Sequence, residues 1–157
     1  MNDFTPAKPA RPPRKRLDVS PVSGIVGYRL RRAQLAVFQR FSERFAELAL
    51  RPAEFSVLAL IEANPGSKQT EIADALEIKR ANFVALIKGL DERGLTERRQ
   101  PAGDRRSNAL FLTERGKNFV RQANALQAAF EAEYVERLGG EKARDQLMGL
   151  LAKLIAP

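Results

Sequence analysis

The 157-residue chain contains neither cysteine nor histidine. Without cysteine there is no disulfide framework and no thiol redox sensing. Without either residue type, His/Cys metal sites and triads that need a histidine are excluded. Carboxylate-only metal sites survive that argument, but no clustered Asp/Glu pattern points to one. A Gly-rich phosphate loop is missing, as is any carboxylate pair at a telling spacing, so neither an enzyme nor a bound cofactor is expected. No run of 18 apolar residues occurs, and no membrane-spanning helix is expected. The N-terminal stretch is basic and proline-rich without an apolar core, unlike a secretory signal, which makes a cytoplasmic protein the expectation. Acidic residues are outnumbered: 19 Asp and Glu face 27 Lys and Arg, for a net charge of +8.

What remains is 44% apolar, enough to bury a core, and the length suits one domain. The basic balance points to an anionic partner, nucleic acid first. The positive excess is spread along the chain, so where each cation sits matters more than bulk charge.

Residues 67–113 organise the rest. Gln69 to Leu76 reads as a helix with Ile72, Ala73 and Leu76 on one face. Glu77-Ile78 forms a bend. Lys79 to Arg93 reads as a second helix with a buried stripe of Phe83, Leu86, Ile87 and Leu90, stopped by Gly94. Its opposite face carries Lys79, Arg80, Asn82, Ala85, Lys88 and Gly89, a basic, amide-bearing and otherwise small surface suited to a major groove. Leu95 to Gln100 and Ser107 to Leu112 read as strands joined through Pro101-Ala102-Gly103 and Asp104-Arg105-Arg106. An arginine-tipped loop suits a narrow minor groove, where the potential is most negative. The spacing predicts a mainly α fold with a small β-wing, a winged helix-turn-helix.

Around it, residues 1–21 form a basic arm with Pro6, Pro9, Pro12, Pro13 and Pro21 among Lys8, Arg11, Arg14, Lys15 and Arg16, expected to be extended and flexible. Residues 22–49 are predicted as one long amphipathic helix with Ile25, Tyr28, Leu35, Phe38, Phe41, Phe45 and Leu48 on its stripe. Arg32 falls on that stripe, beside Arg29 and Arg31, and calls for a partner: an ion pair, a snorkelling path, or an anionic ligand. Arg51-Pro52-Ala53-Glu54 opens the next helix, and Asn64-Pro65-Gly66 closes it. Thr113 is placed as the N-cap of a helix to about Leu138, broken by Gly139-Gly140, before a last helix from Glu141 to about Leu154. The domain reading is a flexible arm over 1–21, a helical dimerisation region over 22–50 and 114–157, and a DNA-binding winged helix over 51–113. The outer helices carry more apolar surface than one small winged helix covers, and in an isologous homodimer they cover each other.

Asp104-Arg105-Arg106 followed by Leu112-Thr113, after Leu90-Asp91-Glu92-Arg93-Gly94-Leu95, resembles the MarR family of bacterial transcription regulators over roughly residues 24–154. The resemblance implies a triangular helical dimer with two winged-helix lobes, double-stranded DNA as partner, Arg106 in the minor groove and Asp104 supporting a wing arginine alongside Arg105. It also implies release by a small aromatic or anionic effector bound between the dimer helices and the lobe, with Tyr28, Arg29, Arg32, Phe38 and Phe55 as candidates. The family often has Thr and then Arg in mid recognition helix; here Val84 and Ala85 stand instead, leaving Asn82 as the base reader, able to pair bidentately with adenine. Gly27-Tyr28-Arg29-Leu30-Arg31-Arg32-Ala33-Gln34-Leu35 is similar to a branch that answers to hydroxycinnamoyl-coenzyme A thioesters, whose phosphates suit clustered arginines better than a simple aromatic carboxylate does. The expected function is a ligand-responsive repressor on a near-palindromic operator, nucleoid-associated when bound. The alternative is an effector-free architectural DNA binder.

Overall fold

Helix caps and glycines set the boundaries of the elements. A computed structural model describes residues 17–99 and 109–156. The basic arm up to residue 16 and the wing tip with Asp104, Arg105 and Arg106 lie outside the described residues. The chain divides into two compact units, residues 1–36 and 37–157.

In the first unit a short helix α1, Ser20–Ser23, ends at Gly24, and α2, Val26–Arg44, begins two residues later. The single helix predicted over 22–49 is therefore interrupted at both ends. At the start, Gly24 caps α1 through its own N–H to the Val22 carbonyl. At the end, α2 gives way to a 3₁₀ turn, Ala46–Leu48, and Ala49 takes a left-handed conformation at φ 45°. That reversal lets the Leu50 N–H return to the Phe45 carbonyl. The predicted stripe is also only partly buried. Phe41 and Phe45 are inside, whereas Ile25, Leu35 and Phe38 are exposed.

The second unit continues with α3, Pro52–Ala63, α4, Gln69–Ala75, and α5, Arg80–Glu92. Proline opens α3, where its missing N–H costs nothing, and Glu54 Oε2 accepts the Arg51 N–H at 2.8 Å. Glu71 Oε2 does the same for the Lys68 N–H at 2.7 Å. Glu77, at φ 52°, makes the turn between α4 and α5. Gly94, at φ 68°, ends α5 with its N–H on the Asp91 carbonyl, while the Leu95 N–H reaches the Leu90 carbonyl.

Strands β1, Thr96–Arg99, and β2, Ala109–Leu112, pair antiparallel, with Thr96 opposite Leu112 and Arg99 opposite Ala109. β1 begins one residue later than the sequence expectation, and Gln100 and Ser107, the inner ends of the expected strands, lie outside the described residues. An isolated bridge joins Lys68 to Ala109, and the Leu110 N–H donates to the Ser67 carbonyl, which ties the entry to α4 onto the wing. Helix α6, Glu114–Leu138, starts at Thr113, whose Oγ accepts the Gly116 N–H at 2.9 Å and donates to the Gly94 carbonyl at 2.7 Å. Gly116 touches the wing so closely that a Cβ there meets the Leu95 carbonyl oxygen at 2.0 Å. Gly139, at φ 96°, closes α6, and α7, Glu141–Ile155, packs back on it.

One core runs through this unit. Phe41 and Phe45 stack at 3.9 Å with Phe130 edge-on at 6.0 and 6.4 Å. Val57, Leu58, Ile61, Ile72, Phe83, Ile87, Leu90, Leu95, Leu110 and Val120 carry it down to the wing. No helix among the described residues is long and apolar enough to cross a membrane.

Candidate nucleic-acid interface and apolar groove

Helix α5 buries Phe83, Ile87 and Leu90 and turns the opposite residues outward. Lys79, Arg80, Asn82, Val84, Ala85 and Lys88 are all exposed, and Gly89 is half-buried. Lys88 stands 3.7 Å from Glu92, one turn on, in an exposed pair that leaves its charge available to a phosphate. Gly89 has nothing within 4 Å of where a Cβ would stand, so this face is smooth as well as polar. Beside it, Arg51 from the start of α3 joins Asn82, Ala85, Leu86 and Gly89 around a shallow cleft. The arginine missing from mid α5 has a neighbour arriving from another helix. Nothing in the local sequence pattern gives that placement.

The wing root is braced from below. Asp91, near the end of α5, accepts a hydrogen bond from the Thr96 hydroxyl and pairs with Arg98 at 2.9 Å. Arg99 lies over the Phe111 ring at 4.6 Å. Arg93 binds the end of α5 to the rest of the unit: Nη2 donates to the Leu48 carbonyl at 2.8 Å and Nη1 to the Ala49 carbonyl at 3.2 Å. Its guanidinium is 3.8 Å from Glu54 and 5.1 Å from the Phe119 ring centre. The Leu-acidic-x-x-Gly-Leu pattern marks Arg93 by position, but its carbonyl partners are 44 and 45 residues away and leave no sequence signal.

A chain with a helix-turn-helix, a two-stranded wing and flanking long helices matches a family profile over residues 50–107, and that profile describes the MarR family. The transcriptional repressor CouR, solved on a 23-mer DNA duplex, is 42% identical, and the match covers 90% of this chain and all of that one with a TM-score of 0.83. The chain belongs to the MarR family of transcriptional regulators. CouR solved with p-coumaroyl-CoA is similar at 41% identity, 88% and 97% coverage and a TM-score of 0.82. A regulatory protein assigned to the hcr operon of Thauera aromatica is 29% identical over 148 residues, 94% of this chain and 89% of that protein.

A second feature of this family member is an apolar groove of about 370 Å³ between α2, α3, α6 and α7. Phe38, Phe41, Phe55 and Phe130 wall it with Tyr134, Leu138, Leu147 and Met148, and Ser56, Gln127, Glu131 and Arg144 add polar atoms. The size is within the range of small-ligand sites. Of the five effector candidates named from sequence, the groove collects Phe38, which is 45% exposed, and Phe55, which is half-buried and about 6 Å from Phe41 and Phe45. Tyr28, Arg29 and Arg32 belong to the first unit. There Arg32 Nη1 donates to the Tyr28 hydroxyl at 3.2 Å with its guanidinium 5.9 Å from that ring, and Arg29 Nε donates to the Ser23 carbonyl. Arg32 is exposed and shows no carboxylate partner among the described residues, so the burial expected from its place on the stripe does not occur.

Arg144 is already committed. It lies 3.0 Å from Asp145 and 3.7 Å from Glu131, and the Asp145 hydrogen bond raises its pKa further. Glu114, in the first turn of α6, is held below the usual carboxylate range by its Lys117 hydrogen bond at 2.6 Å. Gln127 and Tyr134, both on the groove wall, were not among the sequence candidates. Gln127 interrupts the apolar run between Ala123 and Phe130, and a polar residue in that position was the available signal.

Proposed function

We propose that this chain is a ligand-responsive repressor that binds a near-palindromic operator as a homodimer and is released by an aromatic acyl-coenzyme A thioester. The single observation that carries this reading is the aromatic-walled groove in a fold 41% identical to CouR bound to p-coumaroyl-CoA. Exposed Leu147, Met148, Leu150, Leu154 and Ile155 on α7 supply the apolar surface for an isologous dimer, which sets two α5 helices about one DNA turn apart. Lys79, Arg80, Asn82 and Lys88 face the major groove, and Arg105 and Arg106, with Asp104 as support, reach the minor groove.

Release follows from linkage: the effector shifts DNA binding only by its differential affinity for two lobe arrangements. Helix α3 carries Phe55 on the groove wall and Glu54 beside Arg93. Arg93 in turn grips the 3₁₀ turn that follows α2. A ring entering the groove displaces α3 against the end of the recognition helix along that chain. By the sequence resemblance alone, Arg29 and Arg32 are cations of a kind suited to phosphate groups.

Calorimetric titration tests the reading with p-coumaroyl-CoA, coenzyme A alone and p-coumarate alone. The thioester is expected to bind at least tenfold more tightly than either half, and Phe38→Asp to weaken it. Equal weak binding of all three contradicts it. One observation favours the architectural alternative: α5 presents Val84 and Ala85 where the family often has Thr and then a base-reading Arg. A steep salt slope with no sequence preference is its signature.

A further inference from the structure

Arg51 stands exposed at the N-terminal end of α3 and pairs with no carboxylate among the described residues. It lines a cleft of about 490 Å³ whose other wall is made by Asn82, Ala85, Leu86 and Gly89 of α5. Those four stand at i, i+3, i+4 and i+7, along one flank of that helix. Glu54 also lines the cleft, but its carboxylate already accepts the Arg51 N–H at 2.8 Å and lies 3.8 Å from the Arg93 guanidinium. The Arg51 side chain is therefore the uncommitted charge beside α5, and the positive end of α3 adds to its field.

We propose that Arg51 is a further DNA-contacting residue, which holds a backbone phosphate at the edge of the major groove that α5 enters. The inference rests on that placement of α5 and adds a contact from a different helix. An α-helix with its side chains is about 10–12 Å across, and the major groove is about 12 Å wide. α5 therefore fills the groove. A side chain that stands beside α5, rather than on it, meets the strand that borders the groove, and that border is phosphate and sugar. A guanidinium fork matches phosphate oxygens. The flank facing Arg51 carries Asn82, so a phosphate held there also sets the register at which Asn82 meets the bases. Val84 and Ala85 bring no charge to mid α5, and Arg51 supplies one from α3 without reading sequence.

The test uses the full chain and the duplex it selects from a random-sequence pool, with fluorescence anisotropy at several salt concentrations. Wild type is compared with Arg51→Ala, Arg51→Lys and Lys88→Ala. Arg51→Ala should weaken binding about tenfold and lower the slope of log affinity against log salt by about one. The loss should be even across duplexes changed at single base pairs. Arg51→Lys should keep the slope, because a point charge displaces the same counterion. Melting temperatures should hold, since the bond from the backbone N–H at position 51 to Glu54 survives each substitution there. An unchanged slope in Arg51→Ala, with a lowered one in Lys88→Ala, overturns the inference and leaves α5 in the groove. Unchanged slopes in both overturn the placement of α5 as well. A loss confined to one base pair makes Arg51 a base reader and overturns the phosphate contact.

Discussion

Asn82 is exposed on α5 between a basic N-terminal turn and two small residues, and no other amide shares that face. A bidentate amide contact to adenine discriminates against other bases by about 1–3 kcal/mol. Asn82→Ala should therefore lose that much at one operator position and little elsewhere. Affinities on duplexes each changed at a single base pair check this, and an even loss across all of them removes Asn82 from base reading. Gly116 is decided by space. A methyl group there collides with the Leu95 carbonyl oxygen at 2.0 Å, and that oxygen belongs to backbone held in place by Thr113. Gly116→Ala should cost about 3 kcal/mol or more by overpacking. Urea unfolding measures it, and a loss below about 1 kcal/mol means the wing root yields more easily than its packing implies. The sequence shows Gly116 only as a glycine in an otherwise ordinary helix start. The reason for it lies in a strand end 21 residues earlier.

At the scale of elements, the winged helix was readable because its signals are local. The Ile72/Ala73/Leu76 face, the Phe83/Ile87/Leu90 stripe, Gly94 and the Thr113 cap each lie within one or two turns of what they control. Boundaries failed where distant contacts decide. Nothing near Arg44 announces that the helix ends there, because the left-handed Ala49 and the Leu50 return bond set the exit together. The effector candidates divided for a related reason. Apolar periodicity placed Phe38 on a stripe, yet that stretch of α2 is exposed at Phe38 and buried only from Phe41, and the groove wall runs from one ring to the other. Arg93 joins α5, the 3₁₀ turn and α3 through two carbonyls and Glu54. Arg93→Ala should cost stability, about 1–3 kcal/mol for the lost charge-assisted bonds. It should also bring the ratio of operator affinities without and with thioester toward one. Retention of the full ratio in a folded variant locates the coupling elsewhere.

At the scale of the whole molecule, the absence of histidine and cysteine has a functional consequence. No side chain of the types that ordinarily titrate between pH 6 and 8 is present. The charge presented to DNA should stay nearly constant over that range. Operator affinity at fixed ionic strength is expected to vary by less than about twofold between pH 6 and 8, since phosphate contacts of constant charge set it. Fluorescence anisotropy across that range checks it, and a tenfold change points to a perturbed carboxylate or amine at the interface. Net charge alone does not distinguish a specific repressor from an architectural binder, because both gain from +8. Release by an effector does. The most direct measurement is a titration of the protein on a labelled duplex from its own upstream region at two salt concentrations, with and without aromatic acids and their coenzyme A thioesters. The account predicts tight, sequence-dependent binding that an aryl thioester releases and its free acid does not. Salt-steep binding that ignores both sequence and thioester contradicts it.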